Sequence, residues 1–288
     1  MKRLLLLPII GLLLVLMGGC HTPSDSDIVA TTLPVYEMTQ YLCRDTGLSV
    51  ARLITEQVSC LHDYSLKVSH MKMIESAQVI VVSGGGLEAF LEDAIGENQR
   101  IIDASTGISL HEEGSHHHDA DDQDADAHIW LDPQNGKTMA NNICLGLCDL
   151  YPEYASAFQN NADALQKEFD AVIEYAEKQL SDLSCRELIT FHDGFGYMAD
   201  AFDLDILHAI EEEAGSEAPA SELIELCDLV ESHKLPAIFT EKNGSASAAS
   251  VISAETGCRV YTLDMAISGN GYFDALYYNI DTLKEALE

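Results

Sequence analysis

Residues 153–184 read EYASAFQNNADALQKEFDAVIEYAEKQLSDLS. Tyr154, Phe158, Leu165, Phe169, Ile173, Ala176, Leu180 and Leu183 recur there at spacings of three, four and seven. Such spacing holds one apolar face for about eight turns of 3.6 residues. No Gly or Pro interrupts the stretch, so it predicts one long, stiff helix. On each side of it, short apolar, β-branched runs alternate with helical patterns. Upstream, "DIVATT" (27–32), "SVARLI" (49–54), "QVIVVSG" (78–84) and "RIIDAS" (100–105) read as strands. Pro34 suits the first turn of a helix carrying Val35, Met38 and Leu42, and residues 65–77 and 87–96 also read as helical. Asp132 and Pro133 form a helix start. Downstream, "ELITF" (187–191), "DILHAI" (205–210), "AIFTE" (237–241) and "RVYTLD" (259–264) are strands. Helices at 221–234 and 246–257 lie among them, the second closed by Gly257.

This alternation predicts an α/β protein of two lobes. Each has a parallel sheet flanked by helices, since apolar strands without alternation suit sheets covered on both faces. The N-terminal lobe spans 28–152 and the C-terminal lobe 185–288, with 153–184 as a rigid strut and a cleft between the lobes. No sequence repeat links the halves; only the order of elements does.

Composition narrows the partners. At 47% hydrophobic, the 288-residue chain can fill real cores. Forty-eight acidic against 15 basic residues give a net charge of −33, which repels nucleic acid and attracts cations. The N-terminus, "MKRLLLLPIIGLLLVLMGGC", has two cations, an apolar run from Leu4 to Met17, then Gly18, Gly19 and Cys20. That is an export-signal layout, too short to span a bilayer. It resembles a bacterial lipoprotein signal, with Met17 where leucine is usual. Residues 1–19 are then the signal, Cys20 the lipidated residue, and 20–27 a polar tether, which makes the protein extracytoplasmic and anchored to the cell membrane. A plain secretory signal is the alternative. Seven further cysteines (Cys43, Cys60, Cys144, Cys148, Cys185, Cys227 and Cys258) contain no CxxC pair, so a cysteine zinc site is poorly supported. Their number is odd, so one is unpaired unless it bonds another chain.

Residues 111–130, "HEEGSHHHDADDQDADAHIW", hold five histidines and seven carboxylates with no Lys or Arg. So much charge does not pack. The segment 111–127 is therefore expected to be a mobile loop at the cleft mouth, where His111, His116, His117 and His118 collect ions weakly beside Glu112, Glu113, Asp119, Asp121, Asp122, Asp124 and Asp126. The alternative is a solvated low-complexity loop with incidental metal affinity. Four other residues stand just past predicted strand ends: His62, His128, His192 and Asp264. Ligand crevices of open α/β sheets lie beyond the carboxyl ends of strands. Two of the four belong to each half, so facing lobes bring all four together. Three imidazoles and a carboxylate suit a borderline divalent ion, and four protein ligands leave no place for an activated water. Closure favours binding over hydrolysis.

At this point the chain resembles the cluster A-I substrate-binding lipoproteins of bacterial ABC importers for zinc and manganese. The likeness runs over nearly the whole chain. It is carried by "HDYSLKVSHMKMIESAQVIVVSGGGLEAFLE", "HIWLDPQNGKTMANNI", "FHDGFGYMADAFDL", "EEEAGSEAPASEL" and "IFTEKNGSASAAS". The resemblance implies two α/β lobes joined by one long helix. It places metal ligands on His62, His128, His192 and Asp264, and Glu241 near the cleft behind them. It implies a membrane permease as partner and no enzymatic activity. Histidine as third ligand resembles the zinc members, whereas glutamate there resembles the manganese members. With the His-rich loop, this makes Zn2+ the expected cargo and Mn2+ the alternative. The chain departs from the family pattern at Cys60-Leu61, where Asp-Pro is usual, and at "TEKNGS" (240–245), where Glu-Pro-Gln is usual. Two rival readings remain: a surface zinc hydrolase with Glu241 as base, against which no HExxH appears, and an adhesin or purely structural surface protein.

Overall fold

The computed structural model describes residues 26–58, 61, 64–96, 99–112, 125–210, 219–269 and 271–288. The expected signal and Cys20, together with Cys60, His62 and His116, His117 and His118, lie outside these residues.

In the N-terminal half, β1 (Ile28–Ala30) leads into α1 (Leu33–Leu42), which Pro34 opens; β2 (Val50–Arg52) and α2 (Val68–Ser76) follow. Then come β3 (Val79–Val82) and β4 (Arg100–Asp103), and all four strands are parallel in the order β2-β1-β3-β4. A short antiparallel pair of two residues each, β5 (His111–Glu112) with β6 (Ala125–Asp126), precedes α3 (Pro133–Leu150). The Asp132 side chain caps α3 by accepting from the Gln134 N–H at 2.7 Å, with Pro133 just inside, as the sequence predicts.

The long helix α4 is Ala155–Gln179, entered through a 3-10 turn at Pro152–Tyr154. It is shorter than the predicted 153–184. Past Gln179 the chain turns, and the Arg186 guanidinium takes the Leu180 carbonyl at 2.8 Å, a carbonyl at the helix end that has no partner within the helix. Phe158, Leu165, Phe169, Val172 and Ala176 are buried along one face, which packs on α1, α3 and the last helix of the chain.

The C-terminal half contains β7 (Glu187–Thr190), α5 (Gly196–Ala201), β8 (Asp205–Ala209), α6 (Ala220–His233), β9 (Ala237–Glu241), α7 (Ser247–Thr256), β10 (Arg259–Leu263) and α8 (Tyr272–Leu287). Its parallel sheet runs β8-β7-β9-β10. In each half, therefore, the second strand lies on one side of the first, and the third and fourth lie on the other. Gly257 ends α7 at φ +79°, the left-handed conformation that glycine adopts freely.

Residues 87–96, expected to be helical, form only a 3-10 turn at Ala89–Leu91 with flanking turns. Gly84, Gly85 and Gly86 all have positive φ and turn the chain sharply after β3. The Glu88 side chain then points inward, where it accepts from the Thr31 hydroxyl and the Ser83 and Gly84 N–H groups. Among the described residues, no helix is long and apolar enough to cross a membrane. The six described cysteines are free thiols.

Candidate metal site

Each sheet reverses its winding between its first and third strands, and that is where a crevice opens beyond the strand ends. In the N-terminal lobe this point is filled. The buried Glu88 carboxyl lies between the residues after β1 and β3, and burial pushes its pKa above the ordinary glutamate value despite its three donors. In the C-terminal lobe the equivalent point carries His192, two residues past β7, and Glu241, the last residue of β9. Glu241 Oε2 stands 3.9 Å from His192 Nδ1, both side chains nearly buried.

His128 arrives from the other half. It follows the small β6 rather than a strand of the main sheet, and a 3-10 turn at Ile129–Leu131 starts beside it. The predicted strand-end position therefore holds for His192 and Asp264 but not in that form for His128. Its ring meets the His192 ring edge-on, with centroids 5.2 Å apart. Asp126 sets its orientation. Asp126 Oδ1 accepts from the His128 N–H at 2.9 Å and lies 2.8 Å from His128 Nδ1. A carboxylate accepts and does not donate, so Nδ1 carries the proton and Nε2 the lone pair that a metal needs.

Asp126 is thus misread as part of a solvated acidic loop: it is 4% exposed and His128 is 3% exposed. Its carbonyl accepts from the Tyr197 hydroxyl at 2.9 Å, and the same hydroxyl accepts from the His111 N–H at 2.8 Å. The His111 ring stacks on Tyr197 at 4.0 Å and reaches Asp200 at 3.3 Å. The base of the predicted loop is therefore a hairpin pinned to α5, and only 113–124 lies beyond it, outside the described residues. Gly194 makes room for the meeting of halves. A Cβ there would stand 2.8 Å from His128 Nδ1 and 2.4 Å from Met265 Cε.

Asp264 follows β10 directly. Asn279 fixes its backbone by accepting its N–H (2.7 Å) and donating to its carbonyl (2.8 Å). Oδ1 accepts from the Ala266 N–H at 2.9 Å, and Oδ2 accepts from Lys242 Nζ at 2.9 Å. The hydrogen bond to Asp264 holds the Lys242 ammonium above the ordinary lysine pKa. The segment after Asp264 binds the halves together. The Met265 carbonyl accepts from Trp130 Nε1 (2.8 Å), the Gly269 carbonyl from Arg52 (2.8 Å), and the Ser268 hydroxyl donates to the Val58 carbonyl (3.1 Å). Among the described residues no three His, Cys, Asp or Glu side chains are gathered closely enough to hold an ion. His128 and His192 meet, and Asp264 faces Lys242.

Two matching α/β lobes, a long helix packed across them, and imidazoles from both halves meeting at the strand ends define a two-lobed solute receptor. Residues 28–286 match the family described as zinc-uptake complex component A, periplasmic (ZnuA), and the chain belongs to that family. It is a receptor component of zinc uptake working outside the cytoplasm, not an enzyme. The chain is 25% identical over 288 residues to the high-affinity zinc uptake system protein ZnuA of Brucella abortus (strain 2308), covering 86% of each. It is 26% identical over 311 residues to the zinc-binding lipoprotein AdcA of Streptococcus pneumoniae serotype 4 (strain ATCC BAA-334 / TIGR4). That match covers 100% of this chain and 62% of AdcA, so the chain spans less than two thirds of that relative. A crystal structure of ZnuA matches the fold with a TM-score of 0.79 at 24% identity, covering 92% of this chain and 100% of that one.

Proposed function

We propose that the chain captures one zinc ion between its lobes through His62, His128, His192 and Asp264 and delivers it to the membrane permease of an ABC importer. Glu241 acts behind His192 as its partner. The observation that carries this reading is the approach of His128 and His192, from opposite halves, with Asp126 presenting the Nε2 lone pair of His128. An imidazole-rich set favours zinc over the harder manganese, which prefers oxygen ligands. Lipid at Cys20 keeps the receptor beside its permease. Residues 113–124, with His116, His117 and His118, gather zinc weakly at the mouth.

Zinc titration of the metal-stripped protein, with manganese as competitor, tests this. One tight site is expected, abolished by His192→Ala and held against excess manganese. Replacing 113–124 by an Asn-Gly turn should remove weak sites and leave the tight one, because the antiparallel pair that leads into Asp126 and His128 is kept. A tight site that survives His192→Ala and Asp264→Asn would overturn the ligand assignment.

A further inference from the structure

Asp264 has one oxygen committed to the Ala266 N–H, at 2.9 Å. The other is taken by an internal cation, the ammonium of Lys242, at 2.9 Å. An ion that binds through Asp264 therefore meets a carboxylate both of whose oxygens are already occupied. Lys242 can hold that place without being locked into it. Its backbone is fixed, since its N–H donates to the Leu263 carbonyl at 2.8 Å, which sets Cα beside the end of β10. Its side chain is 56% exposed whereas that of Asp264 is 12% exposed. The lysine head can swing into water at little cost, while the carboxylate stays in place.

We propose that Lys242 is a tethered competitor for the metal site: it neutralises Asp264 while the receptor is empty, is displaced by the entering zinc, and returns as zinc leaves. The inference rests on the reading of Asp264 as a ligand. The physical reason is charge. A nearly buried carboxylate one residue past the Leu263–Glu241 pair, in a chain of net charge −33, repels the Glu241 carboxylate and would otherwise attract any cation. A built-in ammonium offsets that charge and sets a threshold that a monovalent ion or a weakly held divalent ion does not cross. It lowers equilibrium affinity by the strength of one partly exposed ion pair, and so eases release to the permease.

The test uses the full chain, stripped of metal, with zinc affinity read by competition against a chromophoric chelator. Lys242→Met is expected to bind zinc about fivefold more tightly, the upper end for an exposed ion pair. Lys242→Arg, which keeps the charge, should bind no more tightly than the parent. In the Asp264→Asn background, Lys242→Met should lose its effect, because nothing remains for the lysine to occupy. If Asp264→Asn leaves zinc affinity unchanged, the ligand reading fails and this inference falls with it. If Asp264→Asn weakens zinc but Lys242→Met does not tighten it, or tightens it equally in both backgrounds, the competitor role alone is overturned.

Discussion

Asp126 does more for the site than its place in the sequence suggests. It accepts two hydrogen bonds from His128, one from the backbone and one from the ring, and so fixes both the position of the imidazole and its tautomer. Losing such a partner behind a metal-bound histidine weakens binding by roughly 10- to 100-fold. Asp126→Asn keeps the shape but removes the charge, so zinc affinity should fall by about tenfold, the lower end of that range. The thermal midpoint should barely move. Unchanged affinity in a competition assay would show that the ring is held by something else. The imidazoles also set the pH response. Each must lose its proton before it can bind, so zinc affinity should fall at least about tenfold between pH 7 and pH 5. A flat profile in titration calorimetry would count against histidine ligands. Why was Asp126 not legible? In "HHHDADDQDADAHIW" it is one of five aspartates in an acidic run, and composition marks them all as solvated. Its burial depends on Tyr197, 71 residues later, which holds its carbonyl. No local pattern carries that information.

Helices and strands were easier to read than the turns between them. The strands of both sheets, the Asp132-Pro133 start of α3 and the Gly257 stop of α7 follow from local chemistry and lie where the sequence places them. So does the apolar face of α4, though not its last turn. The helix α8 was not singled out, and α5 is only six residues long. The stretch 87–96 has helical residues, yet Glu88 turns inward and caps the glycine corner instead. That choice is visible only when Thr31 and Ser83 are seen side by side across β1 and β3. Removing the carboxyl orphans two buried N–H groups, so Glu88→Ala should cost about 3 kcal/mol in urea unfolding. The pH response has a definite sign. The folded-state pKa of Glu88 is raised, chiefly by burial, so the folded chain holds this proton more tightly than the unfolded one. Its contribution is complete below the ordinary glutamate value and is lost as pH rises through the raised one. The parent protein should therefore lose stability relative to Glu88→Gln as pH climbs above the ordinary glutamate range. Parallel stability curves for the two proteins would refute the assignment of a raised pKa.

At the scale of the whole molecule, the question is how far the halves can move when an ion enters. One continuous core runs from Ile28 in β1 through α3 and α4 to Leu287 in α8, so both lobes share buried side chains. Trp130 locks the seam. Its indole N–H donates to the Met265 carbonyl, and its own carbonyl accepts from the buried Tyr272 hydroxyl at 2.6 Å. A wide hinge would break these bonds and expose apolar surface at about 25 cal/mol per Å2, whereas displacing Lys242 and turning a few rings breaks neither. Zinc entry should accordingly be a local event. Small-angle scattering should give radii of gyration for metal-free and zinc-loaded protein that agree within about 1 Å, the scale of pre-organised binding. Trp130 offers a second readout, since it is the only tryptophan in the chain, is fully buried, and has its ring 5.3 Å from that of His128. Zinc on that imidazole should change the intensity of indole emission, while the emission maximum stays blue because no water reaches the ring. Contraction of several ångströms on adding zinc, or a red emission maximum in the metal-free protein, would mean that the seam opens and that the halves swing as separate bodies.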